Sequence, residues 1–122
     1  MTLENQVVSL DLAKRLKELG VKQESLFYWV NQPNGGLRTN GYKWQLEPEP
    51  RTRHQSYDYI SAFTVAELGE MLGRESNSIM FAEGKWACVA EPLFELTESD
   101  TEANTRAKML IYLLENNLIS VK

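Results

Sequence analysis

A chain of 122 residues, 43% apolar and 25% charged, has the make-up of one compact domain spanning 1–122 rather than of a disordered tract. Seventeen acids against thirteen bases leave a formal charge of −4, which excludes a generally basic nucleic-acid coat but not a local basic patch. One cysteine and one histidine exclude an internal disulfide and a structural zinc site within one chain, and no apolar run approaches the ~18 residues of a spanning helix.

Taken in chain order, Ser9 is the expected N-cap of a helix over 10–19, with Leu12, Leu16 and Leu19 at helical spacing and Gly20 as its stop. Leu26-Phe27-Tyr28-Trp29-Val30 is apolar at both alternating positions, the pattern of a central strand covered on two sides. Turn residues fill Asn31 to Gly36, and Asn40-Gly41 precedes a half-exposed strand in which Tyr42, Trp44 and Leu46 alternate with Lys43 and Gln45. Glu47-Pro48-Glu49-Pro50 then opens a surface excursion running to about Tyr59.

Thr64 and Glu67 have capping-box spacing, and Phe63 with Leu68 has staple spacing, so a helix is expected over 65–72, ended by Gly73. Two strand-like runs, 79–82 and 85–89, flank Glu83-Gly84 as a hairpin. Ser99 and Glu102 repeat the capping-box spacing ahead of the apolar stripe Ala103, Ala107, Leu110, Ile111 and Leu114, and Asn116-Asn117 supplies a left-handed ending with Leu118 packing back. The sum is an α+β fold: three helices packed on a small, largely antiparallel sheet.

Charge is uneven. Residues 83–102 carry six acids against Lys85 alone, just ahead of the last helix, where carboxylates favour the positive end of its dipole. Basic and aromatic side chains interleave over 51–59, so Arg51, Arg53, His54 and Tyr57 are candidate binding residues, as are Trp29 and Trp44 of the aromatic set. His54 with Asp58 could form an oriented general base, yet no nucleophile motif accompanies them, and no catalytic residue is assigned. Asn34-Gly35-Gly36 lacks the Gly-Lys-Ser/Thr of a phosphate loop, Cys88 reads as a buried small hydrophobe, and Glu67 already has a capping role beside Glu70. No metal site and no cofactor are expected.

Leu16, Gly20, Leu26 and Trp29 stand at the spacing of a helix-turn-helix unit over 10–29. Against it, Phe27-Tyr28-Trp29 prefers a strand and offers few base-reading groups.

Three segments carry a resemblance: 12–29, which opens Leu12-Ala13-Lys14-Arg15; 62–69, Ala62-Phe63-Thr64-Val65-Ala66-Glu67-Leu68-Gly69; and 107–116, Ala107-Lys108-Met109-Leu110-Ile111-Tyr112-Leu113-Leu114-Glu115-Asn116. Together, over about half the chain, they resemble a group of small uncharacterised proteins from bacteriophages and integrated prophages. The resemblance implies a mobile-element, intracellular setting and brings no activity or functional residue with it. The expectation is therefore a cytoplasmic, non-enzymatic interaction module that binds a protein or itself as a homodimer. The helix-turn-helix regulator is the alternative, and neither nucleic acid nor a membrane is the expected partner.

Overall fold

The amphipathic stretch after Ser9 does fold as a helix, and it ends by the device its sequence announces. In the computed structural model, which describes residues 2–31, 44–48, 58–73, 76–80, 85–90 and 95–119, a one-turn helix α1 (Leu3–Gln6) precedes α2 (Leu10–Glu18), which buries Ala13 and Leu16. Gly20 adopts φ +91°, and the N–H groups of Gly20 and Val21 donate to the carbonyls of Lys17 and Leu16 at 3.0 and 3.1 Å. Those bonds satisfy carbonyls that the last turn leaves open, and the left-handed backbone they need suits glycine. Ser9 holds the N-cap position without a side-chain cap bond; its N–H donates instead to Asn104 Oδ1 at 2.8 Å.

The aromatic run becomes β1 (Phe27–Asn31), the middle strand of an antiparallel sheet between β2 (Trp44–Pro48) and β3 (Asp58–Ser61). Trp29 lies opposite Leu46 on one side and Ile60 on the other. Tyr28 and Val30 are fully buried on one face, whereas Trp29, Trp44 and Ile60 share the other and pack on the main core. Two-sided apolarity thus has the expected cause. It also corrects the helix-turn-helix alternative, because the stretch that would have to supply the recognition helix is extended backbone: aromatic and β-branched side chains stack better on a pleated surface than along a helix.

Helix α3 (Val65–Leu72) starts on the full capping box: Thr64 Oγ1 accepts from Glu67 N–H at 3.2 Å, and Glu67 Oε1 accepts from Thr64 N–H at 2.9 Å. Phe63 and Leu68, the staple pair, both sit in the core. A second antiparallel sheet follows, ordered β4 (Ser76–Met80), β5 (Trp86–Ala90), β6 (Glu95–Ser99). Strands β4 and β5 pair as neighbours, as expected, but Met80 lies opposite Trp86, one residue away from the register of a two-residue Glu83-Gly84 turn, and that turn lies outside the described residues.

Helix α4 (Glu102–Glu115) touches α1, α2, α3 and every strand of the second sheet. It is correspondingly buried beyond its predicted stripe, with Thr105, Met109 and Leu113 inside as well as Ala103, Ala107, Leu110 and Ile111. Its cap is Thr101, whose side chain accepts from Asn104 N–H at 3.1 Å, rather than the expected Ser99, which ends β6. The far end matches expectation in backbone: Asn117 has φ +56°, and Asn117 and Leu118 N–H groups reach the carbonyls of Leu114 and Leu113. The Leu118 side chain does not pack back and stays 43% exposed.

The class is α+β, as expected, with the strands divided between two three-stranded sheets instead of one. Strands β3 and β6 and the short α1 are additions to the sequence reading. Val7 and Val8 are a further one: both are fully buried, bridged to Phe63-Thr64 through the Val8 N–H bond to the Phe63 carbonyl and a ladder contact between Val7 and Thr64. Among the described residues, no helix is long and apolar enough to cross a membrane.

Candidate functional site

Of the six candidate binding residues, Arg51, Arg53, His54 and Tyr57 lie outside the described residues. Trp29 and Trp44 are brought to one face of the first sheet, both half-buried against the core. The Trp29 indole N–H donates to the Val8 carbonyl at 2.9 Å, and the Lys14 ammonium stands 5.4 Å from the centroid of the Trp44 ring. These contacts hold the N-terminal segment and α2 onto the sheet. Tyr28, on the opposite face, is buried and spends its hydroxyl on the Gln23 carbonyl.

Other residues weighed for chemistry are tied up structurally. Cys88 is fully buried on β5, and burial pushes its thiol above the ordinary value of 9.0, with Arg106 opposing the rise and Glu102 adding to it. A thiol so placed is a poor nucleophile. Both Glu67 oxygens are engaged, Oε1 by Thr64 and Oε2 by the Leu26 N–H at 3.1 Å. No group of three or more His, Cys, Asp or Glu residues among those described is arranged to hold a metal ion.

A concave feature among the described residues lies elsewhere, where α3, the end of α4 and residues 21–24 meet. It is a cleft of about 650 Å³. Its apolar lining comes from Val21, Phe63, Met71, Leu110, Leu114 and Ile119, and its polar lining from Lys22, Glu24, Glu67 and Glu70. Local structure explains each wall. The glycine stop after α2 turns the chain so that Val21 points inward while Lys22 and Glu24 stay exposed and pair at 3.4 Å. Glu67 then pins this segment to the start of α3 through Leu26. Arg106 joins the two helices: its Nη1 donates to the Val65 carbonyl at 2.9 Å, its Nη2 pairs with Glu102 at 3.2 Å, and its guanidinium lies against Gly69, where a Cβ would collide with Nη1.

Two large apolar side chains adjoin the cleft in sequence and stand in solvent. Leu26, two residues past Glu24, is 62% exposed, and Leu118, next to Ile119, is 43% exposed. With Leu3 they are the exposed large hydrophobics among the described residues. Glu70 is exposed on α3 and has no ion-pair partner among those residues. The arrangement can take up apolar side chains and present carboxylates beside them; it contains no nucleophile–base pair. Sequence reading missed this cleft. The signal that could have marked it is Leu26, an apolar residue at a strand entrance between polar neighbours, together with Leu118 beyond a helix stop.

No family model, curated protein or solved structure matches the chain.

Proposed function

We propose that this chain is a non-enzymatic protein-interaction module which engages its partner through the cleft between α3 and α4. The observation that carries the reading is an apolar cleft of about 650 Å³, with two solvent-exposed leucines, Leu26 and Leu118, close along the chain to the residues that line it. Leaving two such side chains partly in water forfeits about 0.6–2 kcal/mol each, the exposed fraction of the ~1.5–3 kcal/mol of a fully buried leucine, which an interface would recover. A cleft of this size is also within the ~300–1,000 Å³ of small-molecule sites, but such a ligand would leave both leucines uncovered. The phage or prophage setting and the cytoplasmic location belong to the same proposal and are supported by the sequence resemblance.

The test is photo-crosslinking inside host cells, with a photoreactive amino acid placed at Leu118 or, as a control, at Lys85. Lys85 is exposed just ahead of β5, outside the cleft lining. A discrete protein adduct from position 118 and none from position 85 is the expected result. Equal adducts at both positions, or none at either, would overturn the reading.

A further inference from the structure

Resting on that reading, we infer the chemistry of the partner: a short amphipathic segment of another protein, bearing apolar anchors at helical spacing and Lys or Arg residues beside them. Electrostatics selects the sign. The cleft is lined by three carboxylates and one ammonium, and that ammonium, Lys22, is already paired with Glu24. Glu67 accepts hydrogen bonds from Thr64 and Leu26, and Glu70 stands exposed with no ion-pair partner among the described residues. An acidic segment would meet this rim with like charge, whereas a basic one gains attraction and faster encounter.

The shape selects the anchors. Met71 and Leu114 are half-buried and come from two different helices, with Ile119 beyond the turn that closes α4. A groove between two packed helices accepts apolar residues repeating at i, i+3 or i+4, and i+7, the mode by which an amphipathic helix lies in a groove. Met71 adds a flexible, polarisable side chain that adapts to the anchor it meets. Exposed Leu26 and Leu118 stand close in the chain to the cleft residues Glu24 and Ile119, so further apolar surface is available near the cleft.

The experiment selects a displayed library of random peptides on the purified full chain, then measures the enriched peptides by fluorescence anisotropy against the parent and two variants. Apolar residues at helical spacing with Lys or Arg enriched and Asp or Glu depleted are expected. Met71→Lys should weaken binding by roughly tenfold or more, since it puts a charge where an apolar anchor docks. Glu70→Lys, at an exposed position where folding is undisturbed, should weaken it roughly two- to fivefold, the scale of an exposed ion pair.

Acidic winners, winners without apolar spacing, no enrichment, or affinities untouched by Glu70→Lys would each overturn the inference. So would a dimer in sedimentation equilibrium that Met71→Lys dissolves, for it would give the cleft to a second copy of the chain. A Leu118 crosslink obtained alongside acidic winners would sink the partner chemistry alone; loss of the crosslink would sink the interaction reading itself.

Discussion

Substituting Gly69 by alanine should change sign with its neighbour. In a helix interior the exchange normally stabilises by about 0.5–1 kcal/mol, because glycine loses more backbone entropy on folding. Here the new Cβ would occupy the space of Arg106 Nη1, so the guanidinium must leave. Leaving forfeits its bond to the Val65 carbonyl, a charge-assisted contact of about 1.5–3 kcal/mol. It also disturbs the ion pair with Glu102, in which both side chains are only 22% and 25% exposed, though such i,i+4 pairs contribute only about 0.3–0.5 kcal/mol. The net expectation for Gly69→Ala is a loss of about 1–3 kcal/mol. Once Arg106→Ala has removed the guanidinium, the same substitution should stabilise by about 0.5–1 kcal/mol, giving a coupling of about 2 kcal/mol in the double-mutant cycle. Urea titration of the four proteins by far-ultraviolet circular dichroism reads this directly, provided the denaturant slopes agree. Stabilisation by equal amounts in both backgrounds would refute the packing of Arg106 over Gly69. Destabilisation in both would place the obstruction in some other group.

Thr64→Ala should cost about 1 kcal/mol in the same titration, because it removes the acceptor for the Glu67 N–H while leaving Glu67 to cap the Thr64 N–H. Leu110→Ala should cost more, about 2–5 kcal/mol: the residue is 2% exposed in the middle of α4, and the side chains around it come from rigid, packed elements. Cys88 should react with an aromatic disulfide reagent in native protein far more slowly than in urea, at a rate set by opening of the fold. Its raised folded value means that the native state holds the thiol proton more tightly than the unfolded chain does. The stability this confers is complete below the unfolded value and lost as pH rises from about 9 through the folded one, so Cys88→Ala should lose less stability than the parent between pH 8 and pH 10.

What could be read without the structure was local. The capping box at Thr64 and Glu67 and the stop at Gly20 are specified within four or five residues, by side-chain oxygens that reach nearby N–H groups and by a backbone angle that suits glycine. The apolarity of Tyr28, Trp29 and Val30 on both faces likewise announced a central strand, since burial on two sides leaves no polar positions. The pairing of β4 with β5, though not its register, was legible from the turn residues and flanking apolar runs.

Tertiary contacts decided the rest. Strand β3 is four residues long and gains its strand character from pairing with β1 thirty residues away, with Gln23 Oε1 accepting from the Ser61 N–H. Strand β6, rich in acids, reads as a helix entrance until Thr97 and Thr105 exchange hydroxyl bonds to each other's carbonyls and hold it against α4. The cap of that helix moved from Ser99 to Thr101 for the same reason, because β6 claims Ser99. The cleft is the extreme case. Val21, Met71 and Leu114 each look like ordinary core residues, and Glu70 like an ordinary wet one. Concavity is a property of how α3 and α4 pack, and no pattern of neighbours along the chain encodes a distance between residues forty apart, such as that between Arg106 and the Val65 carbonyl it bonds.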